Sequence, residues 1–351
     1  MPYEERADTD TVRRFEALDA DGDGVVTWQD FEHRLLVLAR ADPGIGPEGL
    51  HRVRTGFRAL WHSLRTAVDA DGDERITIAE YAAYAARQGA VGGAGRGGSG
   101  VGGVTGPGGP GNAGDSGGAV GFGDSGDAGV SGGAGDISDS GVSGSAGDFG
   151  DSGAGPPVSS RSCVPPDLAA LLRAPLPEDT ARRGDFAGYH PSGGTEVGDF
   201  LASFWDPAGG WRYPCAEGFA RADDGSPVAF PSLLLPAEVV DRYGGEHGTY
   251  LAPAGTPVAA RAIPPEYLRH ADAGRPLNYH RYEVCRDFTV LAGPTAPAFA
   301  QAGYGIQYKV KPELLTGAPG RPSVSWLVRH GYLRRVSTSA PSDASDSRDA
   351  D

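Results

Sequence analysis

A glycine-rich segment in the middle of the chain decides how the rest can fold. Residues 91–155 hold 28 of the 56 glycines in the 351-residue sequence, with seven aspartates and one basic residue, Arg96. Such a segment carries too little apolar surface to offset the entropy of ordering it, so one large globule is excluded. Its glycines follow no three-residue period, which excludes collagen. About 90 residues precede the segment and about 195 follow it, and each part is long enough for one domain.

Charge is unevenly distributed along the chain. The formal net charge of -15 comes from residues 1–90 (-6), residues 91–155 (-6) and the tail after residue 336 (-3). Residues 156–336 carry equal numbers of acidic and basic side chains. No segment is basic, so non-specific binding to nucleic acid or to an anionic membrane surface is disfavoured.

The sequence offers no signal for membrane insertion or for a disulfide framework. No apolar run approaches the length of about 18 residues that predicts a membrane span. The N-terminus lacks an apolar h-region and predicts no Sec signal peptide, so we expect a cytoplasmic protein or export by a non-Sec route. Three cysteines, Cys163, Cys215 and Cys285, leave room for one bridge at most and lack the CxxC spacing of a zinc site.

Two 12-residue windows, 19–30 and 69–80, have the pattern of a calcium loop. A hard cation takes six to eight oxygen ligands at roughly 2.3–2.6 Å, and a curling loop brings positions 1, 3, 5, 7, 9 and 12 together. With their apolar flanking helices, residues 9–88 resemble the EF-hand family, which implies two bound Ca²⁺ ions. The expected ligands are Asp19, Asp21, Asp23, the Val25 carbonyl, Asp30, Asp69, Asp71, Asp73, the Arg75 carbonyl and Glu80.

Both loops depart from the family pattern. Glu74 stands at position 6 of the second loop, where glycine normally supplies a positive φ, and a non-glycine residue there costs about 1 kcal/mol. Asp30, at position 12 of the first loop, is one methylene shorter than glutamate and weakens calcium relative to magnesium. We expect two sites of unequal, moderate affinity.

Other features of this segment bear on its role. Val26 and Ile76, at position 8 of the two loops, should pair as a short two-stranded ribbon. The chain has one methionine, Met1, whereas calcium sensors expose a Met-rich groove. A structural role for calcium is therefore favoured over a sensor role.

These observations divide the chain into four parts. They are a calcium-binding domain (1–88), a disordered Gly/Asp/Ser-rich linker (89–162), a second folded domain (163–336) and a disordered acidic tail (337–351). A flexible tether of about 70 residues spans roughly 45–50 Å. We therefore expect the two folded parts to share no rigid interface, and calcium in one not to gate the other directly.

The sequence of the second domain predicts an α+β fold with a compact, mainly antiparallel sheet and few helices. Candidate strands are Tyr282–Val284, Thr289–Leu291 and Gln307–Val310, and a helix fits Ser323–Gly331, with Gly331 at its C-terminal end. There is no GxGxxG, P-loop, HExxH or GxSxG motif, so the usual dehydrogenase, kinase and hydrolase interpretations lose their main support.

A series of motifs between about Trp205 and Val336 carries a family resemblance. In order, they are W-x-Y-P…GF (Trp211 to Phe219), DR[FY]G…G-x-[YFW]-L-[SA]-P-x-G-T-P…R-x-[LI]-P-P (Asp241 to Pro265), YH-x-Y-x-V (Tyr279 to Val284), AP-x-F (Ala296 to Phe299), G-x-G-x-Q-Y (Gly303 to Tyr308) and LV-x-x-GYL (Leu327 to Leu333). Together they resemble the tuberculosis-necrotizing-toxin (TNT) domain, an NAD(P) glycohydrolase domain.

The resemblance implies cleavage of the nicotinamide–ribose bond of NAD(P)⁺, which is the substrate and not a cofactor. Carried over by motif, Gln307, Arg242 and His280 are the expected catalytic residues. Tyr250, Arg261, Tyr243 and Phe299 are the expected substrate-binding residues. Strand alternation turns Glu283 away from its neighbour Tyr282, so we favour Gln307 over a carboxylate. Each residue also has a structural interpretation; Arg261, for example, could support the loop before Pro264.

Three functions remain open from the sequence. The leading one is an NAD(P) glycohydrolase acting as a toxin that depletes NAD, with an immunity protein as the partner that family analogy implies. The same pocket could instead serve an ADP-ribosyl transferase or cyclase. From another class, the chain could be a calcium-binding adaptor whose C-terminal domain binds NAD without cleaving it.

Overall fold

The computed structural model describes residues 8–93, 166–176, 180–270, 277–315 and 317–337. Most of the expected linker and nearly all of the expected tail lie outside these ranges. Residues 8–93 form the helical module, and the described part of residues 166–337 forms the β domain. No helix among the described residues is both long and apolar enough to cross a membrane.

The helical module consists of four helices and a two-stranded ribbon. Asp8 begins α1 by accepting a hydrogen bond from the Thr11 amide, and Thr27 forms a capping box with Asp30 at the start of α2. The ribbon pairs Val26 with Ile76, as predicted. The elements are α1 (Thr9–Glu16), β1 (Val25–Val26), α2 (Trp28–Ala41), α3 (Gly46–Val68), β2 (Ile76–Thr77) and α4 (Ile78–Gly93).

The β domain is built around a seven-stranded sheet in the order β11-β8-β6-β7-β10-β9-β5. Every pairing in it is antiparallel, which confirms the predicted α+β class. Its strands are β5 (Phe230–Leu234), β6 (Val239–Tyr243), β7 (Tyr250–Pro253), β8 (Tyr279–Val284), β9 (Phe288–Pro294), β10 (Ile306–Lys309) and β11 (Leu333–Val336).

Short helices and a small hairpin complete the β domain. The predicted C-terminal helix is present as α8, with Ser323 as its N-cap and Gly331 just beyond its end at φ 72°. A second apolar cluster joins α5 and α6 to the hairpin and to Phe299. The elements are α5 (Pro166–Arg173), α6 (Val197–Phe204), β3 (Trp205–Asp206), β4 (Gly210–Trp211), α7 (Val258–Arg261) and α8 (Val324–Arg329).

The helical module and the β domain share one hydrophobic core, so the expectation of no rigid interface is wrong. The ring of Phe230 on β5 lies 5.2 Å from that of Phe31 and 5.6 Å from that of Phe57. All three side chains are almost fully buried. The physical reason is that one face of the sheet is apolar at every second residue and must be covered, and α2 and α3 cover it. The length of a connecting segment does not determine whether the two domains that it joins bind to each other.

Polar contacts surround this shared core. The Ser63 hydroxyl donates to the Glu238 carboxylate at 2.5 Å, and the Tyr84 hydroxyl donates to the Asp287 carboxylate at 2.8 Å. Further contacts join Arg52 to the Gly303 carbonyl, Arg14 to the Glu313 carbonyl and Tyr304 to Asp42. The helical module therefore contacts the sheet through both apolar and polar groups.

Candidate functional site

The two acidic loops of the helical module each bring three carboxylates together. Oxygens of Asp19, Asp21 and Asp30, at positions 1, 3 and 12 of the first loop, lie within 4.8 Å of one another. In the second loop the group within this distance is Asp69, Asp71 and Asp73, at positions 1, 3 and 5. Backbone amides of the first loop donate to Asp19, which keeps the loop curled. Carboxylate oxygens at these separations are the donor set of a hard divalent cation.

The second loop has the backbone strain expected from its sequence. Glu74 has a φ of 65°, close to the region that Gly24 occupies at the same position of the first loop. The side chain of Glu74 is held by an ion pair with Arg65 at the end of α3. Glu80, at position 12, accepts hydrogen bonds from the Ala70 and Thr77 amides, and these bonds outweigh the effect of burial and lower its pKa.

In the β domain, Gln307 and Tyr250 lie on one face of the sheet. Lys309 pairs with Tyr250 across β10 and β7, and Gln307 lies two residues before Lys309, so strand alternation aligns all three. The Gln307 carboxamide nitrogen donates to the Glu217 carbonyl at 3.3 Å, and the Tyr250 hydroxyl donates to the same carbonyl at 3.2 Å. The structure thus brings these two predicted residues together at the Glu217 backbone.

Two lysines and a carboxylate at this point were missed by sequence reasoning. Glu217 Oε1 lies 2.7 Å from Lys309 Nζ and 3.0 Å from Lys311 Nζ. A signal was available, because these are the only lysines in the chain and both closely follow Gln307, Lys309 at the end of β10 and Lys311 just beyond it. No comparable signal marked Glu217, which reaches the lysines from a segment more than 90 residues away.

Arg242 projects from β6 toward the β6–β7 turn. Its Nε donates to the Gly244 carbonyl at 3.0 Å and its Nη1 donates to the Tyr250 carbonyl at 2.8 Å. Gly248 packs against the guanidinium so closely that an added Cβ would lie 2.3 Å from it. Burial lowers the pKa of Arg242. Arg242 thus contacts the backbone of Tyr250, whose side-chain hydroxyl shares the Glu217 carbonyl with Gln307.

His280 belongs to a different group of side chains. It lies opposite Arg242 across β6 and β8, where its ring faces Glu246 at 3.9 Å and contacts Asn278. Glu246 is also bound by Arg335 and the Tyr282 hydroxyl, and these interactions lower its pKa. Strand alternation puts Arg242 and His280 on the face opposite Gln307 and Tyr250. The Arg242 guanidinium meets Tyr250 at its backbone carbonyl.

Arg261 and Tyr243 lie in a buried cluster. Arg261 Nη2 is 2.6 Å from the fully buried Asp241 carboxylate, and its Nε donates to the Thr256 carbonyl at 2.8 Å. The guanidinium also lies over the Tyr243 ring, 5.2 Å from its centroid. These contacts agree with a structural role for Arg261, in which it supports the loop before Pro264. The last predicted residue, Phe299, packs among aromatic rings in the second apolar cluster.

Two open grooves lie between the helical module and the β domain, with volumes of about 350 and 760 Å³. The larger is lined by Leu38, Asp42, Cys215 and Phe219, and neither is lined by Gln307 or Tyr250. Cys215 and Phe219 line the larger groove, whereas Glu217, which lies between them in sequence, contacts Gln307.

The β domain, which carries Gln307, Tyr250 and Arg242 on neighbouring strands, is similar in sequence to known proteins. Residues 233–336 match the family described as tuberculosis necrotizing toxin. The conidial surface nicotinamide adenine dinucleotide glycohydrolase of Aspergillus fumigatus is 34% identical over 180 residues, which cover 50% of this chain and 71% of that protein. The chain therefore belongs to the tuberculosis necrotizing toxin family.

Solved structures overlap with each part of the chain. Tuberculosis necrotizing toxin in complex with its immunity factor aligns with 50% of this chain and 84% of its own, at 23% identity and a TM-score of 0.31. A Streptomyces coelicolor calcium-binding protein aligns with 22% of this chain and 46% of its own, at 30% identity and a TM-score of 0.20. Both TM-scores are low, and no conclusion about fold or function follows from either alignment.

Proposed function

We propose that the β domain is an NAD(P)⁺ glycohydrolase that hydrolyses the nicotinamide–ribose bond to give nicotinamide and ADP-ribose. Family membership supports an enzyme of the NAD nucleosidase class. The observation that carries the proposal in this chain is the connected set of Gln307, Tyr250 and Arg242, joined through the Glu217 and Tyr250 carbonyls.

The chemistry requires few groups from the protein. Nicotinamide leaves from a positively charged pyridinium and needs no protonation, so the barrier is the formation of an oxocarbenium-like ribose. A site that holds the diphosphate, excludes bulk water and positions one water lowers that barrier. Gln307 would orient the water or a ribose hydroxyl without adding charge. Arg242 would contact the phosphates with N–H groups other than those bound to the Gly244 and Tyr250 carbonyls.

The experiment is an NAD assay on the full-length protein, with etheno-NAD fluorescence as the readout and chromatography of the products. We expect nicotinamide and free ADP-ribose, and a loss of about 100-fold in Gln307→Ala. Gln29→Ala, an exposed glutamine on α2, is the matched control and should be as active as the wild type. No turnover by the wild type, or equal turnover in Gln307→Ala, would falsify the proposal.

The same chromatograms separate the alternatives. A cyclic product or a modified acceptor protein would indicate a cyclase or an ADP-ribosyl transferase. Calorimetric binding of NAD without any product would indicate an adaptor. By depleting NAD, the protein would act as a toxin in its target cell. We propose an immunity protein as the partner that protects the producer, as membership of a toxin family implies.

The acidic loops of the helical module would hold Ca²⁺. The donor oxygens fit this cation, and the helices that flank the loops are part of the shared core. Ions that bind only the folded state stabilise it by mass action, so calcium should stabilise the whole protein. When bound, the ions would neutralise the clustered carboxylates and tie α1 to α2 and α3 to α4.

Thermal unfolding of the full chain in Ca²⁺ and in EGTA tests this role. We expect Ca²⁺ to raise Tm by several degrees, and the rise to disappear in the double variant Asp19→Asn/Asp69→Asn. Asp223→Asn removes an exposed aspartate from the β domain and should keep the full response. An equal Tm in Ca²⁺ and EGTA, together with no heat of binding in calorimetry, would rule the role out.

A further inference from the structure

We propose that Glu217 is a positioning residue, which fixes the direction in which Gln307 presents its carboxamide. This inference rests on the proposed glycohydrolase function and adds to it a second set of residues, called the charged layer, which contacts Gln307 through the Glu217 carbonyl. The layer consists of the loop that carries Glu217 and of the two lysines that hold the loop in place.

The backbone around Glu217 has an unusual conformation. Ala216, Glu217 and Gly218 have φ values of 53°, 57° and 78°, three consecutive residues in the left-handed region. Only glycine adopts this region readily, and non-glycine residues keep it only where their surroundings hold them there. The consequence of this conformation is that the Glu217 carbonyl meets both the Tyr250 hydroxyl and the Gln307 side chain.

The Glu217 carbonyl decides which end of the Gln307 carboxamide faces it. A carbonyl oxygen only accepts hydrogen bonds, so the Gln307 nitrogen must face it and the Gln307 oxygen must face away. The Gln307 oxygen, which makes no hydrogen bond with the residues that the structure describes, is the atom that can accept one from a water molecule or from a ribose hydroxyl. Turning the amide over would place two acceptors against each other, at 3.3 Å in this geometry.

Two charged contacts hold the loop where it is. Lys309 and Lys311 lie two residues apart on one face of β10 and its extension, and both donate to the Glu217 carboxylate. Lys309 also lies over the Tyr250 ring, 5.2 Å from its centroid. Burial alone would raise the pKa of Glu217, but the two lysines outweigh it and lower the pKa, so the carboxylate stays ionised at neutral pH.

The position of the Glu217 carboxylate separates it from the reacting atoms. Both of its lysine partners contact the same oxygen, Oε1, and its link to Gln307 runs through its own backbone carbonyl. Its effect on the reaction is therefore indirect. It should change how well the transition state is aligned and leave the binding of NAD nearly unchanged.

Steady-state kinetics on full-length variants test the proposal. Glu217→Gln removes the charge that the lysines hold, and we expect kcat to fall about tenfold while KM changes less than about twofold. Glu313→Gln is the matched control, because Glu313 also pairs with Lys311, at 3.6 Å, but is exposed and lies outside the Gln307 contacts. It should keep wild-type kcat and KM. Lys311→Gln removes one of the two lysine contacts and should show a smaller loss of the same kind.

A double-variant cycle separates positioning from a general structural role. Gln307→Asn withdraws the carboxamide from the Glu217 carbonyl, so adding Glu217→Gln to it should cause no further loss of kcat. Thermal unfolding of each variant checks that it is folded. If Glu217→Gln does not fold, the same comparison is made with Lys311→Gln.

The outcomes distinguish this inference from the proposed function. A wild type that does not turn over NAD ends the proposed function. An active wild type with unchanged kcat in Glu217→Gln and in Lys311→Gln overturns the positioning role alone. So does an equal fall in kcat when Glu217→Gln is added to Gln307→Asn, because the effect would then not pass through Gln307.

Discussion

Gly56 on α3 faces Ile306 on β10 so closely that a Cβ at position 56 would lie 2.2 Å from Ile306 Cγ1. Ile306 immediately precedes Gln307, so the helical module touches the strand that carries the expected catalytic glutamine. Glycine is unfavourable inside a helix by about 1 kcal/mol relative to alanine. Its presence at position 56 of α3 is explained by this close approach.

The first prediction follows from that contact. Gly56→Ala gains up to about 1 kcal/mol of helix propensity but forces α3 and β10 apart, which costs about 1–3 kcal/mol. We expect a net loss of stability, measured as a lower midpoint in urea. Gly198→Ala, at an exposed position on α6 with open space around it, is the matched control and should be neutral or slightly stabilising. Equal behaviour of the two variants would contradict the close contact.

The second prediction concerns the shared core. Phe230→Ala removes the ring that packs against Phe31 and Phe57, and we expect a loss of about 3–5 kcal/mol in the free energy of unfolding. Because the core spans both parts, calorimetry should show one unfolding transition that shifts as a whole. Leu36→Ala, at an exposed position on α2, should leave it unchanged. Two transitions, of which Phe230→Ala moves only one, would mean that the parts unfold independently.

The third prediction separates two roles for Arg261. Its partner Asp241 is fully buried, so Arg261→Ala leaves a buried carboxylate without its counter-charge and should cost about 3–5 kcal/mol, although the Gly255 amide and the Tyr279 hydroxyl still donate to it. Arg334→Ala, which breaks an exposed pair with Glu283, should leave Tm unchanged. If Arg261→Ala instead keeps the wild-type Tm and raises only KM for NAD, Arg261 binds substrate as the family resemblance implies.

The fourth prediction is a pH dependence at the boundary between the helical module and the sheet. Burial raises the pKa of Glu238 above its ordinary value of 4.5, although the hydrogen bond from Ser63 opposes the shift. A raised pKa in the folded state means that Glu238 favours folding below pH 4.5, and that this contribution is lost as pH rises through the folded-state pKa.

Glutamine mimics the protonated form, so Glu238→Gln should melt above the wild type at pH 7–8, by a gap that closes toward about pH 4. Tm measured across this range is the readout. Glu16→Gln, at an exposed position on α1, controls for the general effect of removing one negative charge. A gap of constant size at every pH would show that titration of Glu238 is not its cause.

Local features of this fold follow from the sequence. The β8, β9 and β10 strands, the α8 helix with its Ser323 cap, and the Val26–Ile76 pairing all depend on residues close to one another or on a repeated loop. The positive φ of Glu74 follows in the same way, because position 6 of the loop requires it whatever residue is present. Each of these is set by backbone sterics or by periodicity.

Other features depend on contacts between distant segments, which periodicity does not contain. Asp241 and Arg242 are adjacent and both charged, so alternation alone could not tell which of them turns toward the buried Arg261. Glu217 meets Lys309 and Lys311 across more than 90 residues. The packing of α2 and α3 on the sheet is another such contact, because the apolar pattern of each element does not show which surface covers it.

The covalent link between the two parts contributes little to their association, because the two parts also pack directly against each other. The contact around Phe31, Phe57 and Phe230 is a buried interface of the kind that holds subunits together. The helical module and the β domain thus associate as two subunits would, although one chain encodes both. The connecting segment keeps the effective concentration of the two parts high. A protease cut in the glycine-rich segment would therefore yield a nicked protein whose two fragments remain associated.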